Sequence, residues 1–232
     1  SLKAMAHLYI AEAYSLGRRF DEAEPNYRKV LASSLDKNSR EFLKARFGMG
    51  YCLYNQKKYE EAKEQFKSFI NSTTEDNPGY GNALVRLADC EYVAKNYSEA
   101  LGHYRQAING IIKEKDYAYF QAGVILHLLS KYEDALANLD RVVSVYPDSP
   151  YWDDALFEKG SVYLERGDYG NAITAFSKLI AEKPRSKYVP YALEKRALSN
   201  FNRREYARTI ADYELFLKNY PAHPSVNNVL LG

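Results

Sequence analysis

Apolar residues recur along this chain at intervals of three, four and seven residues, as at Ala172, Phe176, Leu179 and Ile180. This periodicity is typical of amphipathic helices. It predicts six helix pairs, with first helices over 2–16, 39–55, 80–94, 116–129, 150–166 and 187–202. The second helices are predicted over 20–33, 59–72, 97–112, 132–145, 169–181 and 206–219. Short connectors such as Gly17-Arg18-Arg19 make each pair an antiparallel hairpin.

Two series of small residues repeat with one set of intervals, namely 39, 38, 35, 37 and 37 residues. In the second helices the series is Ala23, Ala62, Ala100, Ala135, Ala172 and Thr209, each three positions after an aromatic residue. In the first helices it is Ala6, Ala45, Ala83, Ala118, Ala155 and Ala192. A period near 37 predicts stacked helical hairpins, an architecture that usually provides a binding surface.

The small residues also predict how each hairpin packs. A bulky residue follows four positions after each small residue of the second helix: Tyr27, Phe66, Tyr104, Leu139, Phe176 and Tyr213. We expect it to fill the space beside a small residue of the first helix, such as Gly50, Gly123 or Gly160.

The predicted fold is all-α: a right-handed α-solenoid of six helix–turn–helix repeats plus the truncated first helix of a seventh. The repeats fall at 2–34, 39–73, 79–112, 115–147, 149–184 and 186–221, with the partial repeat at 223–232, in a single domain. Because the pattern stops in mid-repeat, we expect the chain to be a fragment of a longer one.

The joints between repeats carry turn signals. Pro147, Pro184 and Pro221 are placed to end the preceding helices. Ser149 and Ser186 are predicted to be N-caps of the helices that follow.

Composition narrows the classes of function. The net charge is +2, which gives no electrostatic case for nucleic-acid binding. No apolar run is long enough for a transmembrane segment. The four histidines (His7, His103, His127 and His223) lie in different repeats without a catalytic or metal-binding motif, so we expect no catalytic residue, metal or cofactor. Cys52 and Cys90 occupy equivalent positions and are predicted to be buried free thiols.

The spacing of small and aromatic residues resembles the tetratricopeptide repeat. The segment from Gly160 through Gly167, Tyr169, Ala172 and Phe176 to Pro184 matches the family pattern. The Tyr-Pro-Asp-Ser-Pro joint at 146–150 is similar to those of bacterial envelope members, the outer-membrane-protein assembly lipoprotein and the coordinator protein of the Tol–Pal system.

The resemblance implies that the first helices line a concave groove. The groove residues that it implies for partner binding are Phe47, Tyr51, Tyr54, Asn55, Val85, Asp89, Tyr92, Phe120, Val124, His127 and Phe157. Several are tyrosine or phenylalanine, which are favoured in interfaces. Chaperone-binding members grip a terminal carboxylate with an Asn, but that position holds Glu12, Tyr51, Asp89, Val124, Ser161 and Leu198 here. A carboxylate clamp is therefore not expected.

These features predict a non-catalytic protein–protein interaction scaffold that binds a peptide or partner segment in the groove. One alternative is an assembly module of a larger envelope protein, with self-association through terminal residues such as Val226–Leu231. Another is a solenoid that binds a small glycan or peptide ligand. The compartment stays open, because the envelope-type joints favour the periplasm and two unpaired cysteines favour the cytosol.

Overall fold

The computed structural model describes residues 2–226, and this part of the chain is all α-helical, with twelve helices and no strand. The helices are α1 (Leu2–Leu16), α2 (Phe20–Leu31), α3 (Arg40–Asn55), α4 (Tyr59–Asn71), α5 (Tyr80–Val93), α6 (Tyr97–Asn109), α7 (Lys115–Leu128), α8 (Tyr132–Val145), α9 (Trp152–Glu165), α10 (Tyr169–Glu182), α11 (Val189–Asn202) and α12 (Tyr206–Asn219). Each lies where the apolar periodicity predicts it. The predicted seventh repeat falls mostly on residues 227–232, outside the described residues.

The chain forms two compact units, residues 1–118 and residues 119–232, which we call unit 1 and unit 2. In unit 1 each helix from α1 to α6 packs on the next, and α3 also contacts α1 and α5. In unit 2 the same order holds from α8 to α12, and α9 also contacts α11. Each unit is therefore a stack of helical hairpins. The right-handed sense of the stack stays a prediction.

Small residues allow the two helices of a hairpin to approach closely, as predicted. A methyl group on Gly50 would lie 2.7 Å from the Phe66 ring, and one on Gly160 would lie 2.5 Å from the Phe176 ring. Both distances are far shorter than an ordinary van der Waals contact. The bulky residue of the second helix therefore rests directly on the glycine of the first.

The turn inside each hairpin contains one residue with positive φ. Five of these residues carry side chains, with φ between 55° and 63°: Arg18, Lys57, Lys95, Ser130 and Arg204. Glycine occupies the sixth turn, at Gly167. This left-handed conformation ends the first helix, as the hydrogen bond from Lys58 N to the Leu53 carbonyl shows at 2.9 Å.

The predicted N-caps at Ser149 and Ser186 are wrong. The hydroxyl of each serine accepts a hydrogen bond from the amide of Tyr151 or Tyr188, two residues later, in a turn that precedes the helix. The helices begin only at Trp152 and Val189, so a tyrosine stands at each N-cap position.

Candidate functional site

Two neighbouring cavities in unit 1 share Lys44 and Phe47, and together we call them the Phe47 groove. The first cavity, of about 460 Å³, lies between the α1–α2 hairpin and α3, and its lining is Glu12, Ser15, Leu16, Phe20, Tyr27, Lys44, Phe47, Gly48 and Tyr51. The second cavity, of about 490 Å³, lies between α3, α4 and the following loop, and its lining is Asn38, Arg40, Leu43, Lys44, Phe47, Phe69, Asn77, Pro78 and Gly79.

The first cavity exists because three residues are small or short at positions that are bulky one repeat later. The bulky equivalents are Tyr51, Tyr54 and Arg86, and the Arg86 guanidinium lies over both tyrosine rings at 6.0 and 5.7 Å from their centroids. Their counterparts in the first cavity are Glu12, Ser15 and Gly48. The Tyr27 ring forms part of the floor, and its hydroxyl accepts a hydrogen bond from Ser15 at 3.2 Å.

The second cavity exists because Phe47 lacks the cover that its equivalents have in unit 2. Phe120 and Phe157 occupy the same position, two residues after the small residue of the first helix. Each of these phenylalanines is covered by a stacked tyrosine from the next repeat. Tyr151 stacks on Phe120 with ring centroids 5.8 Å apart, and Tyr188 stacks on Phe157 at 4.8 Å.

The residue equivalent to those tyrosines, next to Phe47, is Gly79. It follows a loop that Asn77 holds in place, since the Asn77 side chain accepts a hydrogen bond from Gly79 N at 2.9 Å. A methyl group on Gly79 would lie 3.4 Å from the Phe47 ring. The edge of Phe47 therefore opens into the second cavity.

Next to the groove, Asp89 is the centre of a buried polar cluster. Its Oδ1 accepts hydrogen bonds from the hydroxyls of Tyr104 and Tyr117, the latter at 2.8 Å. Its Oδ2 accepts from the Tyr54 hydroxyl at 3.2 Å and from Arg86 at 2.6 Å. All four donors point at one carboxylate that is only 4% exposed.

Burial and this carboxylate change the acidity of the groups around it. Burial raises the pKa of the Tyr54, Tyr104 and Tyr117 hydroxyls, and the nearby Asp89 charge raises it further. Burial is the largest single effect on Arg86 and lowers its pKa, but the charges of Asp89 and Glu114 and the contact with Tyr51 together outweigh it, so the pKa of Arg86 rises overall. Arg86 therefore stays charged and the tyrosines stay neutral donors.

Two residues predicted for the groove do not present a surface there. Val85 is completely buried, and Asp89 is enclosed by its donors. Asp89 is covered by Tyr54 of α3, Tyr104 of α6 and Tyr117 of α7, and α5 packs against both α4 and α6 in unit 1.

The other predicted residues of unit 1 are partly or fully accessible. Phe47, Tyr51, Tyr54 and Tyr92 are half-buried, and Asn55 is exposed. Phe47 and Tyr51 line the groove, with ring centroids 4.9 Å apart. Tyr54 belongs to the Asp89 cluster instead.

In unit 2 the predicted residues Phe120, Val124, His127 and Phe157 are all half-buried. Phe120 and Phe157 lie under stacked tyrosines, as described above. His127 connects α7 to α9, because its Nδ1 lies 2.6 Å from Glu158 and its Nε2 lies 3.0 Å from Glu165. The hydrogen bond to Glu158 raises the pKa of His127 in spite of burial.

Sequence reasoning missed several residues of the second cavity, among them Arg40, Lys44, Phe69 and Gly79. They come from the first two turns of α3, from α4 and from the joint before α5, and the resemblance implies no groove positions there. A comparison of equivalent positions would have found Gly79, where later repeats have Tyr151 and Tyr188.

Other chemistry is sparse in the described part of the chain. Within residues 2–226, no group of three or more His, Cys, Asp or Glu is placed to hold a metal ion, and no helix has the length and apolar character needed to cross a membrane. Cys52 and Cys90 are buried free thiols, as predicted. Burial raises the pKa of Cys90 to about 12, so this thiol stays protonated at neutral pH.

The hairpins and their period near 37 define an all-α helical repeat protein of the solenoid class. Tetratricopeptide repeat models match residues 10–71 and 117–149, and a model described as an outer membrane lipoprotein matches residues 153–231. The chain therefore contains tetratricopeptide repeats, and its C-terminal third is similar to that outer membrane lipoprotein family. No curated protein sequence matches the chain.

Solved structures share this fold over most of the chain. PilF from Pseudomonas aeruginosa superposes with a TM-score of 0.71 at 13% identity, covering 99% of this chain and 97% of that one. The C-terminal part of a repeat protein from Cytophaga hutchinsonii gives 0.76 at 16% identity, covering 91% and 78%. YrrB, described as a tetratricopeptide repeat protein with an unusual peptide-binding site, gives 0.68 at 21% identity, covering 82% and 92%. At these identities the likeness establishes the fold alone.

Proposed function

We propose that this chain is a non-catalytic scaffold that binds a segment of a partner protein along the Phe47 groove. The observation that carries the proposal is the pair of adjoining cavities that share Lys44 and Phe47. Their combined lining is mainly aromatic and aliphatic with a few charged groups at the rim, which is the composition expected of a recognition site.

The edge of the first cavity supports the same proposal. Leu16 lines this cavity and is 86% exposed, so a partner that covers its side chain would be stabilised by burying apolar surface. Covering a leucine contributes about 1.5–3 kcal/mol when burial is complete. YrrB, which has the same fold, is described as having a peptide-binding site, which is consistent with a peptide ligand here.

A scaffold role also agrees with the state of the polar groups. The Asp89 carboxylate is saturated by four donors, and His127 is held by two glutamates. These groups have structural partners that account for their positions without a reaction. Tetratricopeptide repeat families are in general scaffolds rather than enzymes.

The test is peptide binding to the whole chain. Peptides selected from a random display library on the wild-type chain are measured by fluorescence anisotropy against two variants of α1. Leu16→Glu places a charge at the groove edge and should weaken binding by about tenfold or more. Leu2→Glu makes the same change on the same helix, at a residue that is 90% exposed and outside both cavities.

The control should bind within about twofold of wild type, as surface substitutions usually do. Circular dichroism checks that both variants keep their helix content. Equal affinity of wild type, Leu16→Glu and Leu2→Glu for every selected peptide would contradict binding along the groove.

A further inference from the structure

We infer that the second cavity of the Phe47 groove binds an aromatic side chain of the partner, beside a carboxylate that reaches Arg40 and Lys44. The inference rests on the proposed function, because it states the chemistry of the segment that the groove takes. At two equivalent positions, over Phe120 and Phe157, a tyrosine of the chain itself supplies the aromatic ring, and over Phe47 no such tyrosine is present.

In the filled sites, a tyrosine ring lies nearly parallel to the phenylalanine beneath it. The interplanar angles are 12° for Tyr151 on Phe120 and 18° for Tyr188 on Phe157. Offset stacked rings attract each other beyond the area that they bury. Phe47 stands at the same position of its repeat, so an aromatic ring from outside the chain can stack there in the same way.

The backbone angles at the open site are nearly the same as at one of the filled sites, the Tyr188 site. Gly79 has φ −87° and ψ −13°, and Tyr188 has φ −85° and ψ −11°. Both residues stand at the N-cap position of the following helix. The second cavity therefore lies where the tyrosine side chain is missing, although the loop before Gly79 is two residues longer than the loop before Tyr188, and Phe69 also packs on Phe47 with ring centroids 5.1 Å apart.

The charged side chain beside the ring is negative at the Tyr188 site and positive at the second cavity. The Tyr188 hydroxyl donates a hydrogen bond to Asp154 at 2.5 Å, and Asp154 precedes the small residue Ala155. The equivalent residue beside the second cavity is Lys44, which precedes Ala45. An aromatic occupant therefore meets an ammonium group where Tyr188 meets a carboxylate.

The residues that line the second cavity strengthen the preference for a negatively charged group on the partner. Among the described residues that line the second cavity there are two bases, Arg40 and Lys44, and no acid. A partner cation would be repelled here, whereas a partner carboxylate could accept hydrogen bonds from both bases. An aromatic residue next to Asp or Glu is the occupant that fits both the ring and the charges.

The experiment fills the second cavity with the side chain that the other repeats use. Gly79→Tyr has the backbone conformation of Tyr188 and should stack on Phe47 and block the cavity. Its affinity for the selected peptides should fall by about thirtyfold or more, the loss typical of a blocked hot spot. Its melting temperature should not fall, because the tyrosine supplies a contact that the other repeats have.

Gly79→Ala is the matched control. Its methyl group would meet the Phe69 ring at 3.2 Å and leave most of the cavity open. We expect its affinity to stay within about threefold of wild type. Lys44→Glu is a second variant at an exposed position, and it should weaken binding of peptides with an acidic residue by about tenfold.

The selected peptides provide the other half of the test. They should share an aromatic residue beside Asp or Glu, and replacing either residue by alanine should reduce affinity by about tenfold or more. Unchanged binding by both Gly79→Tyr and Lys44→Glu would overturn the inference, as would selected peptides whose affinity depends on aliphatic or basic residues instead. If Leu16→Glu still weakens binding by about tenfold or more in that case, the groove stands as the site and only the stated chemistry fails.

Discussion

At the residue scale, the Asp89 carboxylate lies where α3, α5, α6 and the first turn of α7 meet. Each of its two oxygens accepts from two donors, three tyrosine hydroxyls and one guanidinium in all. A buried charge is stable only when its hydrogen-bonding capacity is met. The cluster therefore fixes the relative positions of these helix segments within unit 1.

Asp89→Asn should destabilise the chain by about 3 kcal/mol or more, because Arg86 loses the buried one of its two carboxylate partners, Asp89 and Glu114, and the donors around Asp89 lose one acceptor oxygen. Urea unfolding followed by circular dichroism measures this loss. Asp76→Asn, at an exposed loop residue, should change stability by less than about 0.5 kcal/mol. Equal stability of the two variants would show that the Asp89 cluster contributes little.

Two helical glycines provide a second comparison at this scale. A methyl group on Gly48 would lie 2.5 Å from the Tyr27 ring, whereas one on Gly102 would meet nothing within 4 Å. Gly48→Ala should therefore destabilise by about 1–3 kcal/mol through overpacking. Gly102→Ala should stabilise by up to about 1 kcal/mol through helix propensity. Thermal unfolding should show melting temperatures that move in opposite directions, and a shift of the same sign in both variants would contradict the packing at Gly48.

At the scale of elements, the apolar period predicted all twelve helices, and most of their ends agree within about two residues. The larger differences have local causes. Helix α6 ends at Asn109 rather than at Ile112, because Gly110 adopts an extended conformation. Helices α9 and α11 start later than predicted, because Ser149 and Ser186 form turns before them. Such side-chain turns compete with N-capping and are hard to distinguish in sequence.

The contact between α7 and α9 predicts a pH dependence. The hydrogen bond to Glu158, aided by the charge of Glu165, raises the pKa of His127 in the folded chain. The stabilisation is complete below the pKa of an unfolded histidine, about 6.5, and is lost as pH rises through the higher folded pKa. Melting temperatures measured from about pH 6 to about pH 8.5 should therefore fall more for wild type than for His127→Gln. A constant difference between the two proteins over that range would contradict a stabilising protonated His127.

At the scale of the whole molecule, the fold class could be predicted from the sequence because the same spacing of small and aromatic residues recurs in each repeat. It was less informative about the candidate site. The resemblance implied groove positions at Phe47 and Tyr51, which line the two cavities, and also at Val85 and Asp89, which are buried. Burial depends on which neighbouring helices cover a residue, and periodicity within one helix does not report that.

The two cavities also depend on two positions where a glycine replaces a large side chain, and the repeat pattern does not reveal this. Gly48 and Gly79 stand where the equivalent positions of other repeats hold Arg86, or Tyr151 and Tyr188. In a single sequence such glycines read as ordinary helix or loop residues. The packing around Tyr27 and Phe47 shows that these two glycines leave the space of the cavities open.

The most direct test of the proposed scaffold function is the map of a bound peptide on the chain. Amide chemical shifts of the isotope-labelled chain, recorded by NMR during titration with a selected peptide, report which residues are affected. The account predicts the largest changes at residues around the two cavities, including Leu16, Lys44, Phe47 and Gly79. Large changes confined to unit 2, or to helix faces away from both cavities, would contradict the account.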